Sequence, residues 1–325
     1  MNDILKSVCF CLALCGATAC NNDDASSAVN RGSGEPVILD ARIEQPTLSR
    51  TTTGGTDNKT TLWSIGDRVR LKGTATVPAS SGGTQTENLG PAIYEYKGND
   101  SWKYADGSTQ PIVWRASTIQ VSGVFPATDI SGNTVTPEAF TLGTDQQTAE
   151  KLGNNDYMVA AETSQNESAN QKKVSLTFEH QLAQLLITIA SIGTEFPAGT
   201  TVTTVKVRSN TVFNTPTWDT PASITAFGSA TGGKEAKYIA LVAPEKPTSI
   251  VDSNNPFIEV TLSTNKTVKL SSVPSKLTLG QGKQHTLALH VGHDKITVDA
   301  SSIGIGAWGN NTDVTGGKPG DTEEQ

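Results

Sequence analysis

Apolar residues recur at every second position along much of this chain, and that period of two, not the 3.6 of a helix, limits what it can fold into. Val37, Leu39, Ala41 and Ile43 alternate with Ile38, Asp40, Arg42 and Glu44. Val69 and Leu71 stand against Arg68, Arg70 and Lys72, and Val174, Leu176 and Phe178 repeat the pattern. Each run is that of a strand with one face buried. Further short strand signals fall at 92–97, 111–115, 119–126, 156–162, 202–208, 237–244, 257–263, 267–270, 285–291, 295–300 and 303–308, separated by Gly, Asn, Asp and Ser. The run Q-L-A-Q-L-L-I-T-I-A from Gln181 fits helix or buried strand, and reads as a brief helical or bent link followed by a strand near 185–192, ended by Gly193 and Pro197. Many short strands and almost no helical periodicity argue for β-sandwiches, and 325 residues favour two of them.

The N-terminus sets the compartment. All four cysteines, Cys9, Cys11, Cys15 and Cys20, lie in the first twenty residues, so the rest of the chain forms no disulfide and offers no thiolate metal site. Lys6, the apolar run from Val8 to Leu14 and the small residues Gly16 to Ala19 read as a secretory signal over 1–19, with Cys20 directly after it. A cysteine there resembles a bacterial lipoprotein junction, which makes Cys20 the candidate lipidation site. Ala17 stands where leucine is more usual, and Cys15 is the alternative. Acylation of Cys20 would place the chain on the outer membrane, with residues 20–36 as a solvated tether. No later segment has the ~20 apolar residues that a membrane-spanning helix needs.

The first strand is followed by a polar, glycine-containing loop, 45–56, in which Pro46 ends the strand and Arg50 precedes Thr51-Thr52-Thr53-Gly54-Gly55. Such a segment is open to proteases. Arg50 is the candidate cut point; Arg42 lies inside the strand, and cutting at Arg31 would not release it. Near the other end, Ile296, Val298 and Ala300, or Ile303, Ile305 and Ala307, repeat the small and branched alternation of the first strand, so either segment could occupy its groove.

The remaining chemistry is excluded by context. A net charge of -7 argues against nucleic acid as partner. His285 and His290 sit five apart on one strand and face opposite sides, His293 falls in a turn, His180 reads as a polar residue at a bend between domains, and no metal is expected. G-I-G-A-W-G at 304–309 matches a dinucleotide fingerprint in letters only, since no helix can follow it. No catalytic triad or acid pair stands out, and neither enzyme activity nor a cofactor is expected. Five tryptophans, with Trp102 and Trp218 in loop-like contexts, leave a surface glycan-binding lipoprotein of a polysaccharide-uptake system as the alternative function.

Taken with the W-S-I-G-D turn at 63–67, D-Y-M-V-A-A at 156–161, V-S-L-T-F-E-H-Q-L-A-Q-L-L-I at 174–187 and the late Trp308-Gly309, these features resemble the fimbrillins, the Mfa-like and FimA-like pilus subunits of Bacteroidales. The resemblance implies a lipidated precursor cut by an arginine-specific protease after its first strand. A C-terminal strand of another subunit then fills the vacated groove, by β-strand addition between copies. The expectation is an all-β chain of two β-sandwich domains in tandem, with Greek-key-like, transthyretin-like topology. Residues 37–180 form the first, with its first strand at 37–44. Residues 181–325 form the second, with donor-like strands at 295–308 and a polar tail at 309–325. The expected partners are copies of itself or related fimbrial subunits, the outer-membrane lipid, the protease and a surface ligand, at the cell surface in a fimbrium.

Overall fold

The computed structural model describes residues 32–44, 63–105, 110–168, 171–228 and 232–308. Cys20, Arg50, Thr51 and the polar tail lie outside the described residues. The elements run β1 (Ile38–Ile43), β2 (Arg68–Pro78), β3 (Thr84–Tyr96), β4 (Trp102–Tyr104), β5 (Thr118–Phe125), β6 (Ala139–Thr141), helix α1 (Ala149–Asn154), β7 (Met158–Asn166) and β8 (Lys173–His180). They continue as β9 (Ala183–Ile192), β10 (Val202–Asn214), β11 (Thr217–Thr225), β12 (Phe227–Gly228), β13 (Lys237–Val242), β14 (Ile258–Leu262), β15 (Thr267–Leu270), β16 (Lys283–Val291), β17 (Ile296–Val298) and β18 (Gly304–Ala307). The fold is all-β, as the period of two requires.

Seven strands form one sheet in the order β1-β8-β7-β5-β2-β3-β4. Alternation is cleanest in β2 and β8, where every second side chain is buried. The turn before β2 depends on Gly66, whose φ of 98° suits glycine and strains other residues. The sheet wraps around an aromatic core: Trp63, which precedes β2, meets Trp102 of β4 at 5.0 Å, Phe125 of β5 at 5.4 Å and Phe178 of β8 at 5.4 Å, all edge to face. Trp63 thereby draws the two edges of the sheet together, since its indole also donates to the Ala41 carbonyl of β1 at 2.9 Å.

Two further sheets share a second core. One is β11-β10-β14-β15, with β6 also on β10; the other is β12-β13-β9-β16-β17, with β18 also on β16. β9 and β16 run parallel and the other pairs antiparallel. The chain passes between the two cores before His180. Val135, Phe140, Leu142, Leu152 and Tyr157 all pack into the second core, and Phe140 stacks on Tyr157 at 4.6 Å before the chain returns to the first sheet as β7. Outward-facing Val124 of β5 joins them, so the bodies meet across apolar side chains and not through a linker alone.

Candidate functional site

The strand read as the exchangeable element is β1, and its surroundings show how it is held. Val37, Leu39 and Ala41 are buried, Ile43 is half-buried, and Ile38 on the opposite face is 58% exposed. β1 forms the edge of the sheet and pairs parallel with β8, Leu39 opposite Val174, Ala41 opposite Leu176 and Ile43 opposite Phe178. The backbone changes partner just before it: Val37 N donates to Ile112 O at 2.9 Å, and Ile38 N to Lys172 O at 2.7 Å. Upstream, Gly34 N donates to Trp114 O and Trp114 N to Glu35 O, so residues 32–37 lie along 112–115. That run reads as a strand in sequence; its partner is this N-terminal segment.

On its other side β8 has little backbone support. It pairs with β7 only at its end, Val159 opposite Glu179 and Met158 opposite His180. Further back, the Gln165 side chain stands in for a strand, accepting from Ser175 N at 3.1 Å and donating to Ser175 O at 3.1 Å. The first six residues of β8 therefore take their strand partner from β1.

Charge fixes the register. Asp40, on the outer face, accepts from Lys173 Nζ at 2.9 Å and Arg42 Nη2 at 3.0 Å, with the Ser175 hydroxyl at 3.4 Å. Burial pushes its carboxyl up, but the hydrogen bonds from Lys173 and Arg42 outweigh that and hold it below the ordinary value. Glu167 accepts from Ser33 N at 3.0 Å and pairs with Lys172, pinning the approach to β1. A second carboxyl lies in the turn before β2: Asp67 accepts from Ser64 N at 2.7 Å, and burial, opposed by that bond and reinforced by nearby Asp156, pushes it up to about 6.

The two candidate donor strands both lie on β16. β17 pairs with its end, Val298 opposite Leu289, and β18 with its start, Ile305 opposite His285. Ile296 is buried, Val298 and Ile303 are half-buried, Ala300 is exposed and Ile305 is 64% exposed. Ala307 closes β18. A cleft of about 380 Å³ opens beside the β16–β17 turn, between Ser191, Glu195, His293 and Thr297. Trp308 reaches back to the first body and stacks on buried His180 at 4.0 Å, while His180 Nδ1 lies 2.8 Å from Asp156 Oδ1.

The tryptophans offer little platform for sugars. Trp63 and Trp114 are buried, and so is Trp102, contrary to its loop-like sequence context: it lies on β4, wedged between Trp63 and Tyr96. Trp218, also read as a loop residue, lies half-buried on β11 against Phe213. His285 is fully buried and His290 exposed, on opposite faces of β16. Among the described residues no three His, Cys, Asp or Glu side chains converge on one point.

The fimbrillin-like family model matches residues 49–308. Among solved structures, a candidate cell adhesion protein from Bacteroides ovatus is similar over 86% of this chain and 99% of its own, with a TM-score of 0.56 at 15% identity. Another from Bacteroides uniformis is similar over 85% of this chain and 99% of its own, with a TM-score of 0.50 at 18% identity. At those identities the likeness is one of fold. No curated protein matches this chain.

Proposed function

The chain belongs to the fimbrillin-like family, and on that premise we propose that it is a structural, non-enzymatic subunit of a surface fimbria. It is exported as a lipoprotein through Cys20, cut after Arg50 and polymerised by β-strand exchange, in support of adhesion. Its partners are copies of itself or related subunits, an arginine-specific protease and the outer-membrane lipid.

The observation that carries this reading is β1. It is an edge strand that, with Val37 just before it, buries three apolar side chains, and in sequence Arg50 follows its end by only seven residues. Burial of Val37, Leu39 and Ala41, with part of Ile43, is worth roughly 5 to 10 kcal/mol at about 1.5 to 3 for each larger side chain. A whole domain is stable by only about 5 to 15 kcal/mol. The cut therefore leaves the first body marginal until another strand fills the groove, which couples proteolysis to assembly. Dissociation then requires passage through that marginal state, so the polymer is kinetically durable.

The test is limited digestion of the secreted protein with an arginine-specific protease, followed by N-terminal sequencing and gel electrophoresis. A terminus at Thr51 with a denaturant-resistant ladder of oligomers supports the reading. An intact Arg50, or a cut protein that stays monomeric, overturns it.

A further inference from the structure

β8 walls the groove that β1 fills, and its two edges are unequally supported. Toward β1 it pairs from Lys173, opposite Ile38, to Phe178, opposite Ile43. Toward β7 its pairing stops at Glu179, opposite Val159. The cause is a bulge in β7: from Ala160 to Thr163 it takes three steps where β5, from Gly123 to Val121, takes two, and so bends. Past the bulge β7 stays with β5. Gln165 pairs with Ile119 along the backbone, Thr118 Oγ1 donates to Asn166 Oδ1 at 2.8 Å, and Gln120 Nε2 donates to Ser164 Oγ at 2.6 Å.

One side chain crosses the gap that this leaves. Gln165 Oε1 accepts from Ser175 N at 3.1 Å, and Gln165 Nε2 donates to Ser175 O at 3.1 Å and to Thr163 Oγ1 at 2.8 Å. Both amide hydrogens are used, and the contacts fix the orientation, since the reverse would set Nε2 against the Ser175 N–H. Ser175 lies near the middle of the run that β7 does not reach. The other ties between β8 and β7 lie toward its ends: pairing at His180, and beyond Lys173 the contacts of Lys172 with Glu167 and Gln171 with Ser168.

We propose that Gln165 is a strut that holds β8 in strand conformation while the groove stands empty, so that an arriving strand meets a formed wall. The inference rests on the strand-exchange reading above and adds what keeps the subunit able to accept a strand once β1 has gone. In the uncut chain β1 gives β8 a full ladder, and two bonds from a half-buried side chain add little to it. Loss of β1 removes that ladder together with the contacts of Asp40 to Lys173 and Ser175. Buried Val174, Leu176 and Phe178 still anchor β8 on the core, while on its backbone the Gln165 bonds hold the middle. A loose β8 would have to be ordered by the incoming strand, and that ordering opposes binding. The geometry asks for glutamine. Asparagine is one methylene shorter, and the carboxylate of glutamate accepts from Ser175 N but has no hydrogen for Ser175 O.

The test uses the full mature chain, cut at Arg50 and freed of its N-terminal fragment, with a labelled peptide of residues 36–44 as the probe. Gln165→Ala should leave the urea midpoint of the uncut chain unchanged and slow peptide binding to the cut chain at least tenfold. Gln165→Glu should bind as slowly at pH 7. At pH 4 about two-thirds of ordinary glutamate carboxyls carry a proton, which this one can donate to Ser175 O, so its rate relative to wild type should rise severalfold. Binding to cut Gln165→Ala at the wild-type rate, or a fall in the uncut midpoint large enough to account for the slower binding, overturns the strut and leaves strand exchange standing. Failure of the cut wild-type chain to bind the peptide overturns both.

Discussion

Replacing Leu39 by alanine separates the stability of the uncut subunit from that of the polymer. Leu39 is 2% exposed on the inner face of β1, whereas its neighbour Ile38 is 58% exposed on the outer face. Truncating a leucine at so buried a position costs about 2 to 5 kcal/mol. Ile38→Ala, at the surface, should stay within about 0.5 kcal/mol. At a urea slope of about 2 kcal/mol per molar, Leu39→Ala lowers the unfolding midpoint of the first body by about 1 to 2.5 M. Tryptophan fluorescence reads this transition directly, because Trp63, Trp102 and Trp114 all belong to that core. Once Arg50 is cut and the strand has left, the substitution is no longer in the assembled fold. Polymers grown from Leu39→Ala and wild-type subunits should therefore resist denaturant equally. Equal effects of Leu39→Ala and Ile38→Ala in the precursor, or a polymer that inherits the loss, would refute the reasoning.

Two other substitutions probe the same body. Asp67, lifted by burial from 3.8 to about 6, holds its proton more tightly folded than unfolded; its contribution is complete below about pH 4 and is lost as pH rises to about 6. Asp67→Asn keeps an acceptor for the Ser64 N–H, so it should flatten urea midpoints between pH 4 and 6 and stabilise by about 1 to 2 kcal/mol at pH 7; an unchanged pH profile would contradict the assigned cause. Gly123 lies between Leu71 and Phe178, where an added Cβ would come within 2.7 Å and 2.9 Å of their side chains. Gly123→Ala should cost about 1 to 3 kcal/mol by overpacking, read in the same fluorescence transition, and a neutral result would mean that the core has room there.

Much of this was legible in the sequence because burial and alternation coincide. Val37, Leu39 and Ala41 face inward as their spacing requires, and β2, β5, β8 and β16 lie where their runs predict. Other features depend on distant contacts. Nothing local says that β1 pairs parallel with β8, since that is decided by which backbone edge the rest of the sheet leaves open. Trp102, flanked by Asn99, Asp100 and Ser101, has the neighbours of a loop residue; Trp63, 39 positions earlier, makes its site apolar. β11 is masked by Pro216 and Pro221, yet it pairs with β10 along most of its length. The six residues of α1, capped by Thr148, are too few to show a period and stand in a polar stretch with one buried anchor, Leu152.

If β1 leaves the sheet and an equivalent strand replaces it, amide hydrogen exchange along Lys173–Phe178 of β8 reports both events. These residues take their strand partner from β1, with only the Gln165 side chain opposite. Exchange should be slow in the uncut subunit, fast after cleavage at Arg50 and removal of the N-terminal fragment, and slow again in the polymer. Protection that survives removal of the fragment, or that fails to return on assembly, would contradict it.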